Sequence, residues 1–438
     1  MLVWAPLTCL ASIVTERGVR LDTTGAFYRA ESAISRDFAV LAAAVHAGAD
    51  GAEDVGRPTR ALRVLDAFGG CGSRSARYLE RGVARFVHCN EGSDELGALI
   101  RANLAPYGTE GDTWAVSHVD AHALLLRNVG EYAFDLIDAD SFGLSARALS
   151  AAMWSVKLGG LLYATQTDGR AHTAPERCLA AYGAWPAGSS ATNPAVNEQA
   201  IRLLIGRAVQ EAAMHGLIAT PLFSLYARHG PCYRSMLALS RAPSRSPQLR
   251  GRLGFVATCG ACGQHAVLDW SRLGAAICPN CGACGVGAVP CAGPLYVGPL
   301  HDRAFVQRMR CVAGAWGDEY APAAKLLATL AAEAAVEGVA GDAPLFYHAH
   351  SVASRAALRG PVRLSALVDV LQAKGWRASR VHFDRFGLKT NAPVDAQVAA
   401  ARALAGLGLG AAPARPHSEQ IVVPSSPSLP TSVDPNPL

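Results

Sequence analysis

Short apolar runs alternating with amphipathic stretches, a glycine-rich turn after the first such run, and a knot of cysteines past the middle of the chain predict an α/β fold. The expected architecture is a Rossmann-like doubly wound sheet followed by a smaller α+β domain with a zinc-ribbon-like module. At 438 residues the chain exceeds what one hydrophobic core usually organises, so two domains and a tail are expected. The divisions fall at residues 1–240, 241–393 and 394–438. The first lies in Ser240-Arg-Ala-Pro-Ser-Arg-Ser-Pro247, where Ser, Pro and Arg replace the periodic pattern.

Taken in order, Val64-Leu65, Phe86-Val87, Trp114-Ala115-Val116, Phe134-Asp135-Leu136-Ile137 and Leu161-Leu162-Tyr163 read as strands. Ser75 to Arg81 and Asp94 to Leu104 read as the helices between them, and strand alternating with helix implies a mostly parallel sheet. Asn197 to His215 carries Ala200, Leu203, Leu204, Ala208 and Ala212 at helical spacing, with Gly216 as its stop. A further helix is expected around Leu364 to Lys374. Beyond Gly410 the chain is rich in Pro and Ser, without periodicity, and is expected to be disordered after a short helical extension.

Half of the residues are hydrophobic but only 7% are aromatic, a composition that suits helices packed closely on a sheet and argues against wholesale disorder. Basic residues are almost all arginine, with lysine only at Lys157, Lys325, Lys374 and Lys389. Arginine's planar fork suits phosphate, although a coding bias would enrich it equally. The net charge of +5 permits a nucleic-acid partner without demanding one. No run approaches the roughly 20 apolar residues of a membrane span. The apolar start from Met1 to Val14 lacks a basic flank, so a soluble, intracellular monomer with no membrane partner is expected.

Val64-Leu-Asp-Ala-Phe-Gly-Gly-Cys-Gly-Ser-Arg-Ser75 sets Asp66 and a glycine turn between strand and helix, where doubly wound sheets bind nucleotides. Gly70 and Gly72 begin a GxGxxG pattern, but Ser75 stands at the third glycine; Arg74 opens the helix, and Cys71 reads as a small filler. The second strand ends at Cys89-Asn90-Glu91, where a carboxylate can take both ribose hydroxyls. The third is followed by Asp120-Ala121, where an acid can accept from an adenine amine. Acids at three consecutive strand ends are the arrangement expected of S-adenosylmethionine in a class I methyltransferase sheet. NAD would need a pyrophosphate cradle and has no use for the third acid.

The fourth strand leads into Asp138-Ala-Asp-Ser-Phe-Gly143. Methylating an exocyclic amine requires the nitrogen lone pair to be freed and a proton accepted, so Asp138 and Asp140 are the candidate carboxylates. Phe142 is the aromatic that could stack a flipped base. One of the aspartates could instead cap the following helix.

Six of the twelve cysteines lie between Cys259 and Cys291. Cys259-x2-Cys262 and Cys278-x2-Cys281, fifteen residues apart, have the spacing of a structural four-cysteine zinc site. Cys284 and Cys291 offer alternative registers. His301, His348, His350 and His382 show no ligand spacing to one another and are read as packing or phosphate contacts.

From about Thr23 to Pro393 the chain resembles the tRNA guanine-26 N2-methyltransferases. Phe27-Tyr28 with Ser35-Arg36-Asp37 is similar to the family's N-terminal pattern, Asp138-Ala-Asp-Ser-Phe-Gly143 to its catalytic motif, and Thr165-Gln-Thr-Asp168 to the next strand end. Asn197-Glu198 with Arg202 resembles its helix signature. Gly293-Pro-Leu-Tyr-Val-Gly-Pro-Leu-His-Asp302, Gly375-Trp-Arg-Ala-Ser-Arg-Val-His-Phe383 and Gly387-Leu-Lys-Thr-Asn-Ala-Pro393 resemble C-terminal signatures that no generic methyltransferase carries. The resemblance implies Arg36, Asp66, Glu91, Asp120 and Ala121 around S-adenosylmethionine, Asp140 against the base amine, and tRNA as the partner. It also implies a product of N2-methyl- and N2,N2-dimethylguanosine.

Two positions depart from the pattern: Arg29-Ala30 replace Asn-Pro, and Ser141 replaces the proline after Asp140. Proline would rigidify the loop that aims the aspartate, so serine is expected to loosen it. A catalytically weakened relative that binds structured RNA is therefore the second function weighed. An NAD-dependent oxidoreductase, the third, is disfavoured by the missing glycine and the cysteine module.

Overall fold

The computed structural model describes residues 13–49, 58–128, 130–131, 133–141, 146–188, 193–227, 230–243, 249, 251–275, 277–283, 289–337 and 344–407. A hairpin, β1 (Ile13–Glu16) and β2 (Val19–Asp22), precedes helix α1 (Ala33–His46), whose residues from Ser35 to Val45 are all buried. Strands β3 (Leu62–Asp66), β4 (Ala84–Asn90), β5 (Trp114–Ser117), β6 (Phe134–Ala139) and β7 (Val156–Gln166) then alternate with helices α2 (Ser73–Glu80), α3 (Gly97–Leu104), α4 (Ala121–Arg127) and α5 (Ala146–Ser155). After α6 (Pro175–Tyr182) and α7 (Val196–Met214), strands β8 (Leu217–Ala227) and β9 (Cys232–Arg241) close the sheet as an antiparallel pair.

The seven strands run in the order β5-β4-β3-β6-β7-β9-β8, with β3 to β7 mutually parallel. This is the Rossmann-like methyltransferase sheet that the sequence predicts, and its strand order reverses at β3, where such sheets open a crevice for ligands. Every strand read from the sequence is present. Helix α7 runs from Val196 to Met214, one residue earlier at each end than expected, and just past its C-terminal end Gly216 adopts φ 67°, a turn that only glycine takes freely. The N-terminal hairpin, α1 and the β8–β9 pair carry no strong periodic signal and were not foreseen.

Beyond the sheet, β10 (Leu253–Thr258), β11 (His265–Leu268) and β12 (Cys291–Tyr296) form a three-stranded antiparallel sheet. Helices α8 (Arg303–Ala315) and α9 (Ala321–Glu337) return to pack on α1, where the Arg308 guanidinium donates to the Val45 carbonyl at 2.9 Å. The last elements are β13 (Tyr347–His348), α10 (Ala349–Arg355), α11 (Leu364–Ala373), β14 (Ala378–Arg380), β15 (Gly387–Thr390) and α12 (Val394–Leu404). One buried apolar cluster joins these parts, taking in Leu162 of β7, Ile201 of α7, Leu295 of β12, Phe346 and Phe383. Among the described residues no helix is long and apolar enough to cross a membrane.

The join is also ionic. Glu198 and Arg202 on α7, Glu337 on α9 and Lys389 on β15 are all at most 4% exposed. Arg202 donates to Glu198 at 2.9 Å and to Glu337 at 3.0 Å, and Lys389 bonds both carboxylates. The remaining valences are satisfied by backbone. Arg202 reaches the Gly298 carbonyl at 2.8 Å, Glu198 accepts from the Phe346 amide at 2.9 Å, and Glu337 accepts from the Leu300 amide at 2.6 Å. Removing one cation would leave an uncompensated buried carboxylate, at a cost of about 3–5 kcal/mol. Lys389→Met is therefore expected to lose about that much stability in urea unfolding, and a loss below about 1 kcal/mol would show the network to be dispensable.

Candidate active site

The candidate site lies where the parallel strands end. After β3, Gly70 and Gly72 turn with φ 55° and 78°, conformations that a Cβ disfavours, so the chain reverses tightly into α2. The Glu91 carboxylate beside this turn accepts the Gly70 amide at 2.8 Å and the Ser93 amide at 3.1 Å. Asn90 ties the end of β4 to the segment after β5, donating to the Val119 carbonyl at 3.0 Å. Asp120 is exposed and caps α4 by accepting the Ala123 amide at 2.9 Å, and Ala121 begins that helix. Asp66, Glu91 and Asp120 thus stand at the ends of three neighbouring strands.

Asp66 is fully buried, with Oδ2 accepting from Ser75 at 2.8 Å and Oδ1 without a partner among the described residues. Burial, followed by the charge of neighbouring Asp138, pushes its carboxyl up to about 7, while Arg74 and Ser75 pull the other way.

Arg74 does more than open the helix. Its guanidinium donates to Asp138 Oδ2 at 2.9 Å and also bonds Asp140 Oδ2. Tyr78, one helical turn on, adds a hydroxyl to Asp138 Oδ2 at 2.8 Å. Arg234 at the start of β9 grips the other oxygen of Asp140, with Nε at 3.2 Å and Nη2 at 2.9 Å. Burial alone would raise Asp140, but the two guanidiniums outweigh it and hold this carboxyl well below the usual range. For Asp138 burial prevails over Arg74, and its carboxyl is raised. Asp138 is inaccessible, whereas the Asp140 side chain retains 20% exposure.

Arg36 is buried between the Glu16 carboxylate, at 2.9 Å from Nε, and the Arg29 carbonyl, at 2.9 Å from Nη2. Glu16 also accepts from Tyr28 at 2.8 Å and from Arg77, and Arg77 reaches Asp37 at 2.6 Å. Burial would raise Glu16, but the Arg36 and Arg77 partners win and lower it to about 2. The hairpin is thereby clamped over α1 and α2.

Two similar turns bring Cys259, Cys262, Cys278 and Cys281 together with all Sγ atoms within 4.8 Å. In each turn a glycine amide closes onto the first cysteine's carbonyl, Gly263 to Cys259 at 2.8 Å and Gly282 to Cys278 at 3.0 Å. Across the turns, Cys259 and Cys281 Sγ stand 3.6 Å apart and Cys262 and Cys278 Sγ 3.5 Å apart. A tetrahedral zinc with bonds of roughly 2.3 Å separates its sulfurs by roughly 3.8 Å, so the four thiols fit that ion. Cys291 stands outside the group with its Sγ at 3.4 Å from the Val289 carbonyl. Cys284 lies outside the described residues, as does Phe142.

The sequence reading overlooked Arg234, Tyr78 and Glu16. Arg234 had a signal, since it is the one charged residue in the stretch from Tyr233 to Leu239, and Tyr78 stands at i+4 from Arg74. Ser141 is buried and donates its amide to the Ala139 carbonyl at 3.0 Å. That bond, which proline could not make, closes the turn around Asp140 and supplies a restraint that the sequence did not reveal.

The raised Asp66 carboxyl implies a pH dependence. Between the ordinary value of 3.8 and about 7 the unfolded chain loses a proton that the folded chain retains, so this group's contribution to stability falls as pH rises through that window. Asp66→Asn removes the effect, and its melting temperature relative to the unmodified chain should climb from pH 4 to pH 7 and level off above. A difference independent of pH would refute the shift.

Residues 12–402 match the family model described as N2,N2-dimethylguanosine tRNA methyltransferase. The chain is 28% identical over 379 residues to the tRNA (guanine(26)-N(2))-dimethyltransferase of Aeropyrum pernix, covering 84% of this chain and 86% of that protein. It is 27% identical over 403 residues to the protein of the same name from Thermococcus kodakarensis, covering 88% and 95%. Among solved structures it is similar to Trm1 from Pyrococcus horikoshii, a complex with S-adenosyl-L-methionine, with TM-score 0.72 and 23% identity over 89% of this chain and 99% of that one. A likeness at that identity speaks for the fold. The match across residues 12–402, taken with the sheet and the aspartates at its fourth strand end, places the chain in the N2,N2-dimethylguanosine tRNA methyltransferase family.

Proposed function

We propose that this protein methylates the exocyclic N2 of guanine 26 in tRNA, giving N2-methyl- and N2,N2-dimethylguanosine, and that it works as an intracellular monomer. Residues 1–240 would carry the chemistry, and residues 241–393 would hold the tRNA. The observation that carries the reading is the pair Asp138 and Asp140, one inaccessible and raised, the other accessible and lowered, at the end of the fourth strand. Carboxylates pushed apart in this way serve different roles. Asp140, kept ionised by Arg74 and Arg234, accepts hydrogen bonds from the base and directs the amine lone pair out of the ring plane. Asp138 anchors Arg74, and Phe142 would be the aromatic that stacks the base.

S-adenosylmethionine supplies the methyl group. The residues present fit it: the glycine turn is narrow, since a Cβ on Gly69 would meet Cys89 Sγ at 2.4 Å, and Asp66 Oδ1 and His118 Nε2 are buried polar atoms without partners among the described residues. Arg36, Asp66, Gly70, Gly72, Arg74, Glu91, Asp120 and Ala121 would hold it, with Glu91 toward the ribose and Asp120 toward the adenine. The four cysteines would hold one structural zinc, whose closed ligand set leaves no position for substrate.

Mass spectrometry of tRNA nucleosides after incubation with S-adenosylmethionine tests the activity, and tRNA binding without modified guanosine would favour the RNA-binding alternative. In the same assay Asp140→Ala should lose roughly a hundredfold or more in turnover with an unchanged cofactor Kd. Glu91→Ala should mainly weaken the cofactor, and retained turnover in the first or an unchanged Kd in the second would reverse the assignments. Elemental analysis should find one zinc per chain in protein purified without chelators. Chelation should unfold the cysteine module before the large sheet, because metal binding there is also folding energy. Simultaneous melting of the two would contradict it.

A further inference from the structure

Asp140, Thr165 and Arg234 come together where three neighbouring strands meet. Ala139, the last residue of β6, pairs with Ala164 in the parallel register, Asp140 and Thr165 are the next residues of their chains, and Thr165 pairs with Arg234 in the antiparallel register. Arg234 is only 4% exposed, and it spends Nε and Nη2 on Asp140 Oδ1 while Nη1 enters neither bond. The Thr165 hydroxyl is fully buried and has no partner among the described residues. The Thr165 hydroxyl beside the accessible carboxylate is thus a buried polar group whose burial costs free energy until something bonds it, and Arg234 keeps one amino group outside its bonds to Asp140.

We propose that Arg234 is a specificity-determining residue that reads the O6 of the target guanine, with the Thr165 hydroxyl completing that edge; this rests on the proposed guanine chemistry of Asp140. Guanine presents two donors, N1–H and the N2 amine, beside one acceptor, O6. A carboxylate flanked by a guanidinium presents the complementary order of acceptor and donor. Adenine reverses it, placing an amine against Arg234 and an acceptor nitrogen against Asp140, so both side chains reject it. Arginine is a recurrent donor to guanine O6, most often taking N7 with it on the other edge of the base.

The alternative is that Arg234 only positions Asp140, and a double-substitution cycle separates the two. Full-length protein is assayed for kcat/KM on tRNA carrying guanosine or 6-thioguanosine at the modified position. The thio base keeps N1–H and the amine but weakens the acceptor. In the unmodified protein the thio base should cost on the order of tenfold. Arg234→Gln should cost at least as much on guanosine, and on Arg234→Gln the thio base should cost nothing further. Independent, multiplying losses would reduce Arg234 to a positioning residue and overturn the proposal, as would an unmodified protein indifferent to the thio base. Melting temperature and cofactor Kd verify that Arg234→Gln is folded; if it is not, Arg234→Lys, which keeps a cation without the fork, takes its place in the same cycle. Should the unmodified protein methylate neither tRNA, the guanine reading itself falls and takes this proposal with it.

Discussion

Four buried charges, Glu198, Arg202, Glu337 and Lys389, hold the C-terminal elements against the catalytic sheet. Their constraint is stoichiometric: two carboxylates and two cations neutralise one another only when α7, α9 and β15 all meet, with backbone from residues 298, 300 and 346 completing the valences. Burying such a set is costly in desolvation, and a well-packed apolar set could be as stable. What the charges add is selectivity, because an alternative packing of the C-terminal elements would strand a charge in the core. The signature stretches around Glu198, Gly293 to Asp302 and Gly387 to Pro393, far apart in the chain, converge on this one knot.

A second knot organises the site. Arg74 lies between Asp138 and Asp140, while Arg234 approaches Asp140 from the antiparallel strand β9. The outcome is asymmetric because Asp140 has two guanidiniums and partial access to solvent, whereas Asp138 shares one and is sealed. Neighbouring charge decides the first carboxyl and burial decides the second. Two aspartates one residue apart thus differ in direction of shift. The β8–β9 pair, which looks peripheral in strand order, is what delivers Arg234.

The N-terminal segment joins the same surface. Glu16 gathers Arg36, Arg77 and Tyr28, and Arg77 continues to the Tyr320 hydroxyl at 3.1 Å beyond α8. Arg36 is therefore held in its orientation by Glu16 and the Arg29 carbonyl of the N-terminal segment. The Arg29 that departs from the family pattern contributes its carbonyl to this arrangement, a group that any residue supplies. That departure is structurally mild, and Ser141 compensates for the lost proline by a main-chain hydrogen bond.

What the sequence determined by itself was local or periodic: five parallel strands, the glycine turn, helix α7, the CxxC turns and the aspartates of the fourth strand end. Each follows from residues close together in the chain, where turn geometry and hydrophobic period act directly. Tertiary structure alone decided that Asp138 and Asp140 shift in opposite directions, and that Arg234 of a distant strand is brought onto Asp140. These depend on which distant strands become neighbours and on how much water is excluded between them. Burial and charge act through space, so a linear pattern names the groups and only the fold sets their distances.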